Sequence, residues 1–415
     1  MSAEDGLRPL LPSMTISVGG LGFALLTTRN FLYLTAVVAM NYTLMRPSPV
    51  DLLFILSFLL TLAHLAVSSQ KMVSKRTILL TLLLGAWAVG YTLSSLPHLR
   101  EPNVIFELIA KTFAISIGVI AAFVSMSWNR RRFETFMKVY IVSCVIASLL
   151  GTIGFVTQNG LLTWDGRAKG LIDDPNMFGS FLIPAVLFCG YFLLRPRTRK
   201  LLLLGALGIL LLGVILSFSR IALVATVVCL AAYVVFQNRH RPQRILVMAA
   251  ALTGIGALLL GVASLTSQEF TAKLMDRLTL AKSYDLGEEG RYSRYLLVLP
   301  MILQNPIGVG VLQLEKIFPE PIHNIWLSSF VNYGWLAGFA WVTLVVSTVI
   351  VSVLNYRRSR DDISIVLLLS ILGIVMCSSL HEGEHWRHMW LLYGLVWGFA
   401  PPLFRPAGSQ ASVAG

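Results

Sequence analysis

The chain has 415 residues, of which 56% are hydrophobic and only 13% charged. Soluble domains carry roughly a quarter charged residues, so this composition excludes a single soluble core and makes lipid part of the solvent. The net charge of +13 sits in short basic clusters between apolar runs. That is a topology pattern, not the continuous basic face a nucleic-acid binder needs, and nucleic acid is excluded as a partner.

The first apolar stretch lacks a small-residue cleavage site after a short hydrophobic region and reads as the first anchor. A bilayer core takes roughly 20 apolar residues per helix. Apolar runs predict spans near 24–44, 50–69, 77–96, 104–126, 135–157, 176–194, 200–217, 219–236, 244–265, 325–354, 362–380 and 386–404. Arg29 and Asn30 interrupt the first. The four cysteines, Cys144, Cys189, Cys229 and Cys377, lie inside such runs without paired spacing. They read as small buried apolar residues rather than disulfides or metal thiolates.

Alternate loops carry the basic clusters: Lys71, Lys75 and Arg76; Arg130 to Arg132; Arg195, Arg197, Arg199 and Lys200; Arg239, Arg241 and Arg244; Arg357, Arg358 and Arg360. The positive-inside rule then predicts an even number of spans with both termini cytoplasmic. The expected fold class is an all-α polytopic membrane protein of about 12 transmembrane helices. Residues 1–415 form a single membrane domain, and a disordered tail is expected at 406–415. The outward segments are 158–175, a tight hairpin at 217–220, a long loop at 266–323 between the ninth and tenth helices, and 381–386. Long loops without a role are uncommon. Within this one, Gly290 to Leu303 reads as a helix, preceded by Asp285, Glu288 and Glu289 where negative charge favours its dipole. Asn305-Pro306 stops it.

Polar constellations face outward. The run from Gly166 to Asn176 contains Asp173, Asp174, Pro175 and Asn176, which is turn and helix-cap chemistry and also a candidate substrate contact. Ser219-Arg220 puts an ionisable residue at the tip of an apolar hairpin, a functional-site signal unless the arginine snorkels to the headgroups. Arg291 and Arg294 stand three residues apart on the loop helix. Their guanidinium groups match phosphate or form a solvated face. His323-Asn324 marks where the chain re-enters the membrane. A histidine there accepts a proton near neutral pH or is a hydrogen-bonded structural residue. His381, Glu382 and His385 match the H-E-x-x-H pattern of zinc peptidases, but Gly383 weakens the helix that pattern needs. Polar lining of the outward mouth is the stronger reading.

The order of these motifs resembles the O-antigen ligase and O-antigen polymerase superfamily: G…DPN…G, Ser-Arg at a hairpin, a long loop with Arg and N-P-x-G-x-G, then His-Asn before Gly334 and Gly338. The family commonly has Gly-x-x-Gly after His-Asn; here Gly334 to Gly338 is one residue longer. The resemblance implies a glycosyltransferase on the outer face of the bacterial cytoplasmic (inner) membrane. The implied donor is an undecaprenyl-diphosphate-linked glycan, and the acceptor is lipid A core or another glycan. It implies no cofactor, metal or nucleoside triphosphate. His323 is the expected base, and Arg220, Arg291 and Arg294 the expected diphosphate ligands. Asp173, Asp174, Asn176, Ser219 and Asn324 are expected to bind substrate or support the site.

Two other classes make different demands. A glycolipid transporter needs ionisable residues near the bilayer midplane, where only Lys111 and Lys138 lie in apolar runs. An intramembrane metalloprotease would use His381 and His385.

Overall fold

A computed structural model describes residues 10–44, 48–67, 74–196, 198–266, 268, 270–272, 275, 290–318 and 321–401. The acidic lead-in Asp285, Glu288 and Glu289 and the tail 406–415 lie outside these residues. Nine helices come first: α1 (Leu10–Ala39), α2 (Pro49–Val67), α3 (Lys75–Ser95), α4 (Pro102–Ser125), α5 (Arg130–Thr157), α6 (Pro175–Leu193), α7 (Lys200–Leu216), α8 (Arg220–Asn238) and α9 (Pro242–Thr266). After them come α10 (Arg291–Gln304), α11 (Ile325–Val331), α12 (Gly334–Ser359), α13 (Asp362–Ser378) and α14 (Arg387–Gly398). A two-stranded ribbon, β1 (Thr163–Trp164) and β2 (Arg167–Ala168), joins α5 to α6.

Among the described residues, eight helices are long and apolar enough to cross a membrane: α1 to α6, α8 and α12. The chain is therefore an all-α polytopic membrane protein. Apolar side chains such as Val156, Leu201 and Leu258 point outward, as lipid-facing helices require. Arg29 does not interrupt α1. It is buried within the helix and donates to Asn30 Oδ1 at 3.0 Å. All four cysteines are buried and free.

Small residues let α14 and α4 approach closely. A side chain added at Gly394 would meet the backbone of Gly118 and the Cβ of Ala121, and one at Gly398 would meet Ser125 and Ala122. This four-residue spacing of small residues lets α14 lie directly on α4. Helix α3 packs on α12, and α13 packs on α6 and α8. Between α3, α12 and α14, Trp87 stacks edge-on against Tyr91 and Tyr333 at 5.1 and 5.4 Å and touches Trp390 at 5.4 Å.

The expected span 325–354 is not one helix. It breaks at Asn332-Tyr333, between α11 and α12. The cause is tertiary. Val309 N–H donates to Val331 O at 2.9 Å, Gly310 N–H to Asn332 O at 3.0 Å, and Trp335 N–H to Pro306 O at 2.8 Å. The Pro306–Gly310 strip thus takes carbonyls that a continuous helix would use. Gly308 and Gly334 adopt φ of 92° and 81°. Gly308 lies against the backbone of Asn332 to Gly334, and Gly334 against that of Pro306 and Ile307, where no Cβ fits.

Candidate functional site

The ribbon turn Asp165-Gly166 has φ of 52° and 58°, the conformation that a two-residue hairpin favours. It delivers Arg167 toward the start of α6. Arg167 Nη2 donates to Asn176 Oδ1 at 2.8 Å, and its Nε donates to Ser217 O at 2.9 Å. Asp174 caps α6, accepting from the N–H groups of Asn176 and Met177 at 2.7 and 3.0 Å. The Asp173 N–H donates to Thr43 Oγ1 at 3.1 Å. Ser217 Oγ accepts from Ser219 N–H at 3.2 Å and closes the hairpin through Phe218, whose φ is 48°. Ser219 is buried, and half-buried Arg220 opens α8. Asp174, Asn176 and Ser219 therefore gather round Arg167, with Arg220 next in the chain.

A second group forms where the long loop returns. Gly290 precedes α10, so the predicted loop helix is present. Arg291 begins it, and the Arg291 side chain lies outside the described residues. Arg294 is buried and donates to Pro321 O at 3.1 Å, while Tyr295 OH donates to His323 O at 3.3 Å. The loop helix thus grips the main chain just before and at the histidine. His323 itself has a φ of 52°, a left-handed conformation that surrounding structure must hold in place. Asn324 caps α11, accepting from the N–H groups of Trp326 and Leu327 at 3.0 and 3.1 Å. The half-buried His323 ring stands 5.9 Å from that of His381, tilted at 67°.

The H-E-x-x-H segment is not α-helical. It holds one short 3-10 turn at Gly383–His385. His381 faces His323, whereas His385 Nε2 lies 3.2 Å from Lys111 Nζ and 3.5 Å from Glu107 Oε2. Among the described residues no group of three or more His, Cys, Asp and Glu is placed to hold a metal ion.

Behind His323 lies a polar cavity of about 80 Å³, lined by Glu107, Lys111, Glu315, Tyr333, Glu382, Glu384 and His385, and by Pro321 and Ile322 of the gripped chain. Glu384, 2% exposed, is its anchor. It accepts from Lys111 Nζ at 2.9 Å, Ser328 Oγ at 2.8 Å and Tyr333 OH at 2.7 Å. These bonds tie the 381–386 segment to α4, α11 and the break before α12. Burial, then the neighbouring charge of Glu384, pushes the Glu382 carboxyl up to about 8. Sequence reading passed over Lys111 and Glu384 as site residues. The available signal was a lysine inside an apolar run, an ionisable residue that needs a partner.

The two groups share one end of the bundle and are joined through the start of α14. Arg387 makes two bonds to Asp51 of α2, at 2.7 and 2.9 Å, and His388 Nε2 lies 3.0 Å from Ser180 Oγ of α6.

No curated protein matches the chain. Residues 205–342 match the family model for O-antigen ligase. That stretch runs from α7 into α12 and contains Ser219-Arg220, the loop helix, His323-Asn324 and the Gly308–Gly334 contact. The match spans about a third of the chain, and over that stretch the chain is similar to the O-antigen ligase family.

Proposed function

We propose that the protein transfers a glycan from undecaprenyl diphosphate to a hydroxyl of lipid A core, on the periplasmic face of the bacterial inner membrane. All twelve predicted spans fall on helices, α1 to α9 and α11/α12 to α14, which supports twelve crossings with both termini cytoplasmic. In this reading residues 1–415 are one membrane domain, and 266–323 is its periplasmic loop.

The observation that carries the proposal is the fixing of His323. Arg294 and Tyr295 hold its main chain from the loop side, and Asn324 holds the helix that follows. His323 takes the proton of the acceptor hydroxyl as its oxygen bonds to the anomeric carbon. The bond from that carbon to the diphosphate breaks, and the diphosphate leaves with the electron pair. Arg220 and Arg291 stabilise the charge that develops there, and loss of such a group raises a barrier by about 3–4 kcal/mol. Arg294, buried on Pro321 O, contributes by holding the histidine's segment. The diphosphate supplies the activation, so the step calls for no metal or nucleotide. A polymerase passing the glycan to another repeat unit would use the same groups, and the family match covers both activities.

The glycan profile of a deletion strain tests the reading. Long chains retained on the polyprenyl carrier and missing from lipid A core identify a ligase. Transfer of single repeats only identifies a polymerase. An unchanged profile contradicts both.

A further inference from the structure

Helices α3, α4, α12 and α14 enclose a second cavity at the end of the bundle away from the polar cavity. It measures about 280 Å³ and lies among the start of α3, the residue after α4, and the ends of α12 and α14. Two of its lining residues are arginines, Arg76 and Arg358, near enough for Arg358 to act electrostatically on Arg76. No described lining residue is acidic. Arg76 is half-buried, and its Nη1 donates to Asn355 Oδ1 at 2.7 Å, which fixes the guanidinium at the cavity wall. Apart from Ser74, the remaining wall is apolar: Met126, Trp397, Gly398, Phe399, Ala400 and Pro401.

Arg76 is half-buried and Arg358 exposed, and both line one space, where an anion would be attracted to each. Guanidinium groups bind phosphate with directional hydrogen bonds. The apolar wall beside them suits the carbons attached to that phosphate, and the position at helix ends is where headgroups lie. Basic pockets between transmembrane helices on the side rich in Lys and Arg are a recurring way of holding anionic lipid.

We propose that this cavity binds the phosphate headgroup of an anionic phospholipid. The lipid phosphodiester lies between Arg76 and Arg358, and its glycerol and upper acyl carbons lie on the part-exposed Met126 and Ala400. The lipid clamps the ends of α3, α12 and α14. The site is separate from the glycan chemistry and does not depend on it.

The detergent-solubilised full chain is titrated with short-chain phosphatidylglycerol, short-chain phosphatidylcholine and inorganic phosphate, with bound ligand counted by native mass spectrometry. The expected order is phosphatidylglycerol well ahead of the other two. R76Q and R358Q are each expected to bind phosphatidylglycerol roughly fivefold more weakly, whereas R131Q, an exposed arginine elsewhere at this end, binds as the wild type does. Equal binding by R76Q, R358Q and the wild type overturns the proposal. Inorganic phosphate binding as tightly as phosphatidylglycerol overturns the lipid as the occupant. Should either variant fail to fold, a photoactivatable phosphatidylglycerol is crosslinked to the wild type. Label on peptides containing Met126 or residues 397–401 supports the site, and label confined to other peptides overturns it.

Discussion

Lys111 and Glu384 lie far apart in sequence and meet at 2.9 Å, with both side chains almost fully buried. The pair joins the middle of α4 to the turn before α14, and Glu384 also holds Ser328 and Tyr333. Breaking a buried pair by removing one partner costs about 3–5 kcal/mol, because the other charge is left uncompensated. We therefore expect K111M and E384Q each to lower the unfolding temperature markedly. The double variant K111M/E384Q is expected to be less destabilised than the sum of the singles. Additive losses in a thermal-unfolding cycle would show that the two charges are not coupled.

Glu382 gives stability a defined pH dependence. Its carboxyl is raised from 4.5 to about 8, first by burial and then by Glu384. The folded state holds this proton more tightly than the unfolded state. Its contribution is therefore complete below about 4.5 and is lost as pH rises toward about 8. Thermal unfolding followed across that window should show a fall in the wild type and a shallower fall in E382Q. Identical slopes would remove Glu382 from the account.

Arg167 bridges the hairpin carbonyl of Ser217 and the side chain of Asn176. Lysine lacks the fork that makes both bonds at once, so R167K should behave nearly as R167A does. Each is expected to cost about 1–3 kcal/mol and to reduce glycan transfer by displacing Arg220. Full activity of R167K in a transfer assay would separate the hairpin from the chemistry.

Gly334 combines a φ of 81° with backbone contact to Pro306 and Ile307. G334A is predicted to lose stability by about 1–3 kcal/mol from strain alone, with further loss from the clash. G205A, where an added Cβ meets nothing within 4 Å, is the control and should be neutral or slightly stabilising. Equal unfolding temperatures for the two variants would contradict the packing described at the helix break.

Much of the scaffold was legible because lipid imposes long apolar runs, and eight described helices are long and apolar enough to cross a membrane. The loop helix was legible too, bounded by Gly290 and by Asn305-Pro306. The break at Asn332-Tyr333 was not, because the sequence is apolar on both sides and the cause is a strip of chain some 25 residues upstream. Of the site, the cap roles of Asp174 and Asn324 follow from local chemistry. The Lys111–Glu384 pair does not, since hydropathy reports only the cost of a buried charge and not the identity of its partner. The H-E-x-x-H pattern shows the reverse case: its spacing has meaning only on a helix, and Gly383 sits in a 3-10 turn.

The central claim is that His323 serves as the base of a glycosyl transfer, and reconstituted transfer tests it most directly. Purified wild type and H323A are placed in proteoliposomes with an undecaprenyl-diphosphate-linked glycan and lipid A core, and conjugate is measured over time. The account predicts conjugate with the wild type and a loss of roughly 10²–10⁴-fold with H323A, the usual contribution of a positioned base. Both proteins should show the same unfolding temperature. Transfer by H323A at the wild-type rate would contradict it.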